Sequence, residues 1–119
     1  MKSAPIDLTF LLGDICRGDK TKLHIYLEKI NINIKRYLDI LPELIRQRDF
    51  DAIRTESHTL KTYLKYILCD DAVNIMTTME QLASAGDGSG LRQTFSEKYV
   101  PTQQDLTKML DKELLALQK

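Results

Sequence analysis

Apolar residues recur along most of this chain at intervals of three and four, the spacing of one face of a helix, and alternating β-branched runs are scarce. A short first helix is expected from about Asp7 to Cys16, with Leu8, Leu11, Leu12 and Ile15 on one side and Gly18 ending it. Asp19 then caps a long second helix, about Lys20 to Gln47. Its stripe runs through Leu23, Leu27, Ile30, Ile34, Tyr37, Leu38, Leu41, Leu44 and Ile45, and Pro42 is expected to kink or interrupt it. Asp49 starts a third helix, about Phe50 to Cys69, and Asp70 or Asp71 a fourth carrying Val73, Met76, Met79, Leu82 and Ala83, which Gly86 stops. Gly86-Asp87-Gly88-Ser89-Gly90 reads as a connecting loop. A fifth segment follows, with Leu91, Phe95, Tyr99, Leu106, Met109, Leu110, Leu114 and Leu117, bent near Pro101. These elements predict an all-α fold: an antiparallel four-helix bundle with an additional short N-terminal helix.

A length of 119 residues suits one domain, spanning 1–119, and 43% hydrophobic with 29% charged residues suits a folded globular chain. Lys+Arg and Asp+Glu both number 17, so no global field draws the protein to nucleic acid or an anionic membrane. Residues 1–5 show no apolar leader core and no run approaches a membrane span, so a cytoplasmic protein is expected. The apolar stripes are consumed by one bundle, which favours a monomer. Cys16 and Cys69 form no CxxC and read as small buried thiols, while the methionines fall at helical spacing as core filler.

The chemistry concentrates in Ser57-His58-Thr59-Leu60-Lys61-Thr62-Tyr63-Leu64-Lys65. At about 100° per residue, Ile53, Leu60, Leu64 and Ile67 form the core arc, and His58 lies roughly 140° from its centre. Arg54, Lys61, Thr62 and Lys65 fall within about 60° of His58, making a basic, solvent-facing stripe. Neighbouring cations disfavour a protonated ring, so the imidazole is expected to be neutral and nucleophilic. Lys61 can bring an ammonium, and Thr62 a hydroxyl, to an anion on that ring.

Other constellations carry less. His24 reads as a boundary or surface residue of the second helix. No His/Cys spacing suits a metal ligand set, the paired aspartates stand where helix caps explain them, and the glycine-rich piece lacks the ending of a phosphate-binding loop.

With His58-Thr59-Leu60-Lys61 in the middle of a bundle helix, Gly18-Asp19 opening the helix before it, Asp49 upstream and Met79-Glu80-Gln81-Leu82 downstream, the chain resembles a histidine-containing phosphotransfer (HPt) domain from about Ile6 to Leu117. The resemblance implies a phosphorelay intermediate without enzymatic activity of its own. His58 would accept a phosphoryl group, through its outer ring nitrogen, from a receiver-domain aspartate and pass it to another receiver. Lys61 would steady the phosphoryl oxygens, and Arg54, Thr62 and Lys65 would meet the partner. No cofactor is expected on this chain, because the Mg²⁺ belongs to the receiver. The pattern departs from the family at Thr62 and Tyr63, where glycine and a small residue normally follow the lysine, and at Leu68, another usual small position. Those departures keep open a second reading, a phosphotransfer-incompetent helical domain that binds receivers or other signalling partners.

Overall fold

The computed structural model describes residues 6–118, and all regular structure among them is helical. Residues 1–5, read above for a leader, and residue 119 lie outside the described residues. A single π-helical turn, Leu11–Ile15, stands where the short first helix is expected. Helices α1 (Lys20–Arg46), α2 (Phe50–Tyr66), α3 (Asp70–Ser84), α4 (Gly88–Thr94) and α5 (Val100–Leu117) follow, with a π-helical segment, Phe95–Tyr99, joining the last two.

The long dimension of the molecule, 44 Å against 25 and 20 Å, follows the length of α1. Against α1 pack α2, α4 and α5, while α3 pairs chiefly with α2. The core forms where their stripes meet: Leu27, Ile30 and Leu41 of α1, Ile53 and Leu64 of α2, Met76 and Met79 of α3 and Leu110 of α5 are all at most marginally exposed. Each such side chain contributes about 1.5–3 kcal/mol through burial. Both cysteines are buried and free.

The three turns from α1 to α4 share one solution. After each of α1, α2 and α3, the second residue past the helix adopts a left-handed conformation: Arg48 (φ 56°), Leu68 (φ 52°) and Gly86 (φ 67°). In each, the next backbone N–H reaches back to a carbonyl in the helix's last turn: Asp49 to Leu44, Cys69 to Leu64 and Asp87 to Leu82. Asp49 and Asp87 then cap the following helix with their carboxylates, as Asp19 caps α1.

Several expectations shift. Pro42 does not interrupt α1, which is continuous from Lys20 to Arg46. Helix α2 ends at Tyr66, three residues early, because Leu68 turns left-handed. The residue at the cap of α3 is Cys69, without a side-chain capping bond, and Asp70 and Asp71 occupy the first turn. The glycine-rich connector is itself the start of α4: the Asp87 carboxylate accepts from Gly90 N–H at 2.8 Å. A Cβ on Gly90 would lie 2.5 Å from Asp87 Oδ2 and 2.8 Å from Leu82 Cδ2, so glycine is what lets the cap close. The irregularity placed at Pro101 begins just before it: the wider turns of Phe95–Tyr99 precede α5, whose first turn holds the proline.

Candidate functional site

Helix α2 is fixed at both ends by its own sequence. Asp49 accepts from Ala52 N–H at 3.2 Å, Asp51 lies in the first turn and Lys65 in the last, each with the charge that suits the helix dipole. Its rotation about its own axis is set by the two residues before His58. Ser57 is fully buried, with Oγ 2.7 Å from the hydroxyl of Tyr37 on α1. Glu56 accepts two hydrogen bonds from the Arg36 guanidinium, at 2.6 and 3.1 Å, which hold Arg36 above the ordinary arginine range. Tyr37 packs on Tyr99 with centroids 4.7 Å apart, and the Tyr99 hydroxyl donates to the Ile34 carbonyl at 2.7 Å. Burial drives both tyrosine hydroxyls far above their usual titration range; the Ser57 bond opposes this for Tyr37. Two polar ties to α1 thus hold α2 against rolling, and the aromatic pair fixes Tyr37, the α1 partner of one of them.

With Ser57 turned inward, His58 is turned outward. Its side chain is 67% exposed, as the wheel predicts. Its Nδ1 lies 3.5 Å from Oε1 of Glu80 on α3. The same oxygen lies 2.7 Å from Lys61 Nζ, an ion pair off the angle of a hydrogen bond, and the oxygen atom itself is buried. Ring and ammonium therefore meet through one carboxylate oxygen. Glu80 also favours the tautomer with the proton on Nδ1, which leaves the Nε2 lone pair free.

The other residues of the expected stripe part company. Lys61 is not solvent-facing: only 15% of its side chain is exposed, because its chain lies over the α2–α3 seam to reach Glu80. Thr62 is exposed, but its hydroxyl donates to the His58 carbonyl at 3.2 Å instead of being offered outward. Tyr63 packs partly buried against the core. Arg54 is exposed and pairs with Asp51 at 3.3 Å, a partner itself 91% exposed. A shallow depression is lined by Arg54, Thr55, His58, Thr59 and Glu80, and neither Lys61 nor the exposed Lys65 lines it.

Glu80 is the site residue that the pattern of α2 could not supply. It was visible only as part of Met79-Glu80-Gln81-Leu82, one acidic residue on the polar side of the neighbouring helix. His24, half-buried on α1, pairs within its own helix with Glu28 at 3.1 Å. Among the described residues no cluster of three His, Cys, Asp or Glu side chains is placed to hold a metal ion, and no helix is long and apolar enough to cross a membrane. Comparison with protein-family models, curated proteins and solved structures finds no match.

What this arrangement can do chemically is present an exposed imidazole nitrogen to a large partner. The ring is accessible, its backbone is immobilised, and a carboxylate stands ready to balance a positive charge on the ring when Nε2 forms a bond.

Proposed function

We propose that this chain is a histidine phosphotransfer module of a phosphorelay, built as a four-helix bundle of the HPt kind from α1, α2, α3 and the α4–α5 segment. It works as a cytoplasmic monomer whose partners are receiver domains that bring their own Mg²⁺. The observation that carries the reading is His58: two-thirds exposed at the middle of a helix tied to its neighbours, with Nδ1 facing Glu80.

In the forward step, Nε2 attacks the phosphorus of the receiver's aspartyl phosphate. The P–O bond to the aspartate breaks, the carboxylate leaves with that electron pair, and the phosphoryl group is bound to a ring that keeps its Nδ1 proton and carries one positive charge. Glu80 faces that charge. Return transfer to a second receiver reverses the same bonds, and the scaffold supplies position and electrostatics alone. Lys61 can serve the phosphoryl oxygens only by leaving Glu80.

The test is incubation with a phosphorylated receiver, followed by assay for an acid-labile, base-stable label. Transfer to the native chain and its loss in His58→Gln, with an unchanged circular dichroism spectrum, is the expected result. Absence of label from every cognate receiver favours the second reading, a helical domain that binds receivers without accepting phosphate. Two observations support that alternative: Lys61 is engaged by Glu80, and Thr62 stands exposed one turn after His58.

A further inference from the structure

Phosphoryl transfer to His58 needs a cation beside the transferred oxygens, and two cations on α2 stand within one turn of the ring. They differ in what already holds them. Lys61 is 15% exposed, and its partner Glu80 is 21% exposed with a buried oxygen at 2.7 Å. Drawing Lys61 away leaves that carboxylate, which has little water to replace the ammonium, with only the His58 ring at 3.5 Å. Arg54 is 53% exposed, and its partner Asp51 is 91% exposed at 3.3 Å, a pair that water replaces at almost no cost.

Geometry agrees with the energetics. Side chains on a helix lean toward its N-terminus, so the His58 ring lies over the turn that holds Arg54 and Thr55, while Arg54 itself leans back to Asp51 and has to swing toward the ring once that exposed pair opens. Those two residues line the depression beside the ring, and Lys61 does not. With Nδ1 facing Glu80, the opposite nitrogen is the one left to face an incoming phosphoryl group. A guanidinium four residues before the ring can then offer two parallel N–H groups to its oxygens, which an ammonium cannot do.

From this we infer that Arg54, rather than Lys61, is the side chain that binds the phosphoryl oxygens on His58, while Lys61 is a positioning residue that holds Glu80 against the ring. The inference rests on the phosphotransfer reading above and specifies the charge that serves it. Released from Asp51, Arg54 meets the dianionic group as it arrives. Asp51 competes for the same guanidinium and moderates its availability.

A small phosphodonor separates this role from partner docking. With phosphoramidate, Nε2 attacks phosphorus as the P–N bond breaks, ammonia departs with that electron pair, and the ring keeps its Nδ1 proton. Initial rates of labelling are measured against phosphoramidate concentration for the full chain, Arg54→Ala, Arg54→Lys and Asp51→Ala, with thermal unfolding of each as the control for folding. Arg54→Ala is expected to lower the labelling efficiency by at least about tenfold at an unchanged melting temperature, a loss of one charge-assisted contact. Arg54→Lys recovers part of it, and Asp51→Ala does not lower it. Labelling of Arg54→Ala within about threefold of the native chain overturns the inference and leaves His58 as phosphoacceptor. No label on the native chain from phosphoramidate or from any phosphorylated receiver overturns both.

Discussion

Replacing Lys61 by methionine keeps the length and apolar stem of the side chain and removes only the ammonium that faces Glu80. At 2.7 Å and an effective dielectric constant of about 20, the attraction removed is roughly 6 kcal/mol before desolvation is counted. Most of that is cancelled by the cost of drawing both groups out of water. The pair is neither surface nor core, at 15% and 21% exposure, so the net coupling belongs between the values of exposed and buried pairs, about 2 kcal/mol. For 119 residues the unfolding entropy is roughly 0.25 kcal/mol per degree, so Lys61→Met should lower the melting temperature by about 8 °C. Adding Glu80→Gln removes the stranded carboxylate and should recover more than half of that loss. The assay is a double-mutant cycle by urea denaturation, run with Lys61→Met, Glu80→Gln and the pair together. A parallel cycle on Arg54 and Asp51 serves as reference and should give less than about 0.5 kcal/mol, vanishing in 1 M salt. If the Lys61–Glu80 coupling is no larger than the reference, Lys61 is a free surface cation and the distinction drawn between the two cations fails.

Tyr37→Phe and Ser57→Ala each leave a buried hydroxyl without its partner and should each cost about 1–3 kcal/mol, while the double replacement costs less than their sum; denaturation curves of the three variants decide it. Leu68→Gly should stabilise the protein by about 0.5–1 kcal/mol, because Leu68 sits at φ 52° and is 44% exposed, so strain relieved exceeds packing lost; a lowered melting temperature counts against this. Alkaline pH should unfold the chain through Tyr37 and Tyr99. Their hydroxyls titrate far higher folded than the value of about 10 they have unfolded, so the stability they contribute is complete below about pH 10 and lost as pH rises beyond it. Phenolate absorbance should show these two tyrosines ionising only together with loss of helix.

The sequence alone determined what depends on local periodicity. Stripes at three and four residues placed the long helices, aspartates before them marked the starts of α1 and α2, and Gly86 marked the end of α3. The outward aim of His58 was legible for the same reason, since the angle between Ser57 and His58 is fixed by the helix itself and Leu60 and Leu64 say which side is inside. Leu68 misled the boundary of α2 because its left-handed turn is imposed by how the chain must double back to α3, against the preference of a leucine. The glycines of 86–90 read as a loop because their weak helix propensity is local, whereas the Asp87 cap and the close approach of Leu82 at Gly90 are not. Only the tertiary structure decided which cation of the stripe is paired across helices and half withdrawn from water, and which is paired within its own helix in the open. Helical spacing puts Arg54 and Lys61 equally near His58, but a carboxylate from α3 lies within reach of one and not the other, and a charge half withdrawn from water is held far more firmly by its partner than one that water can serve instead.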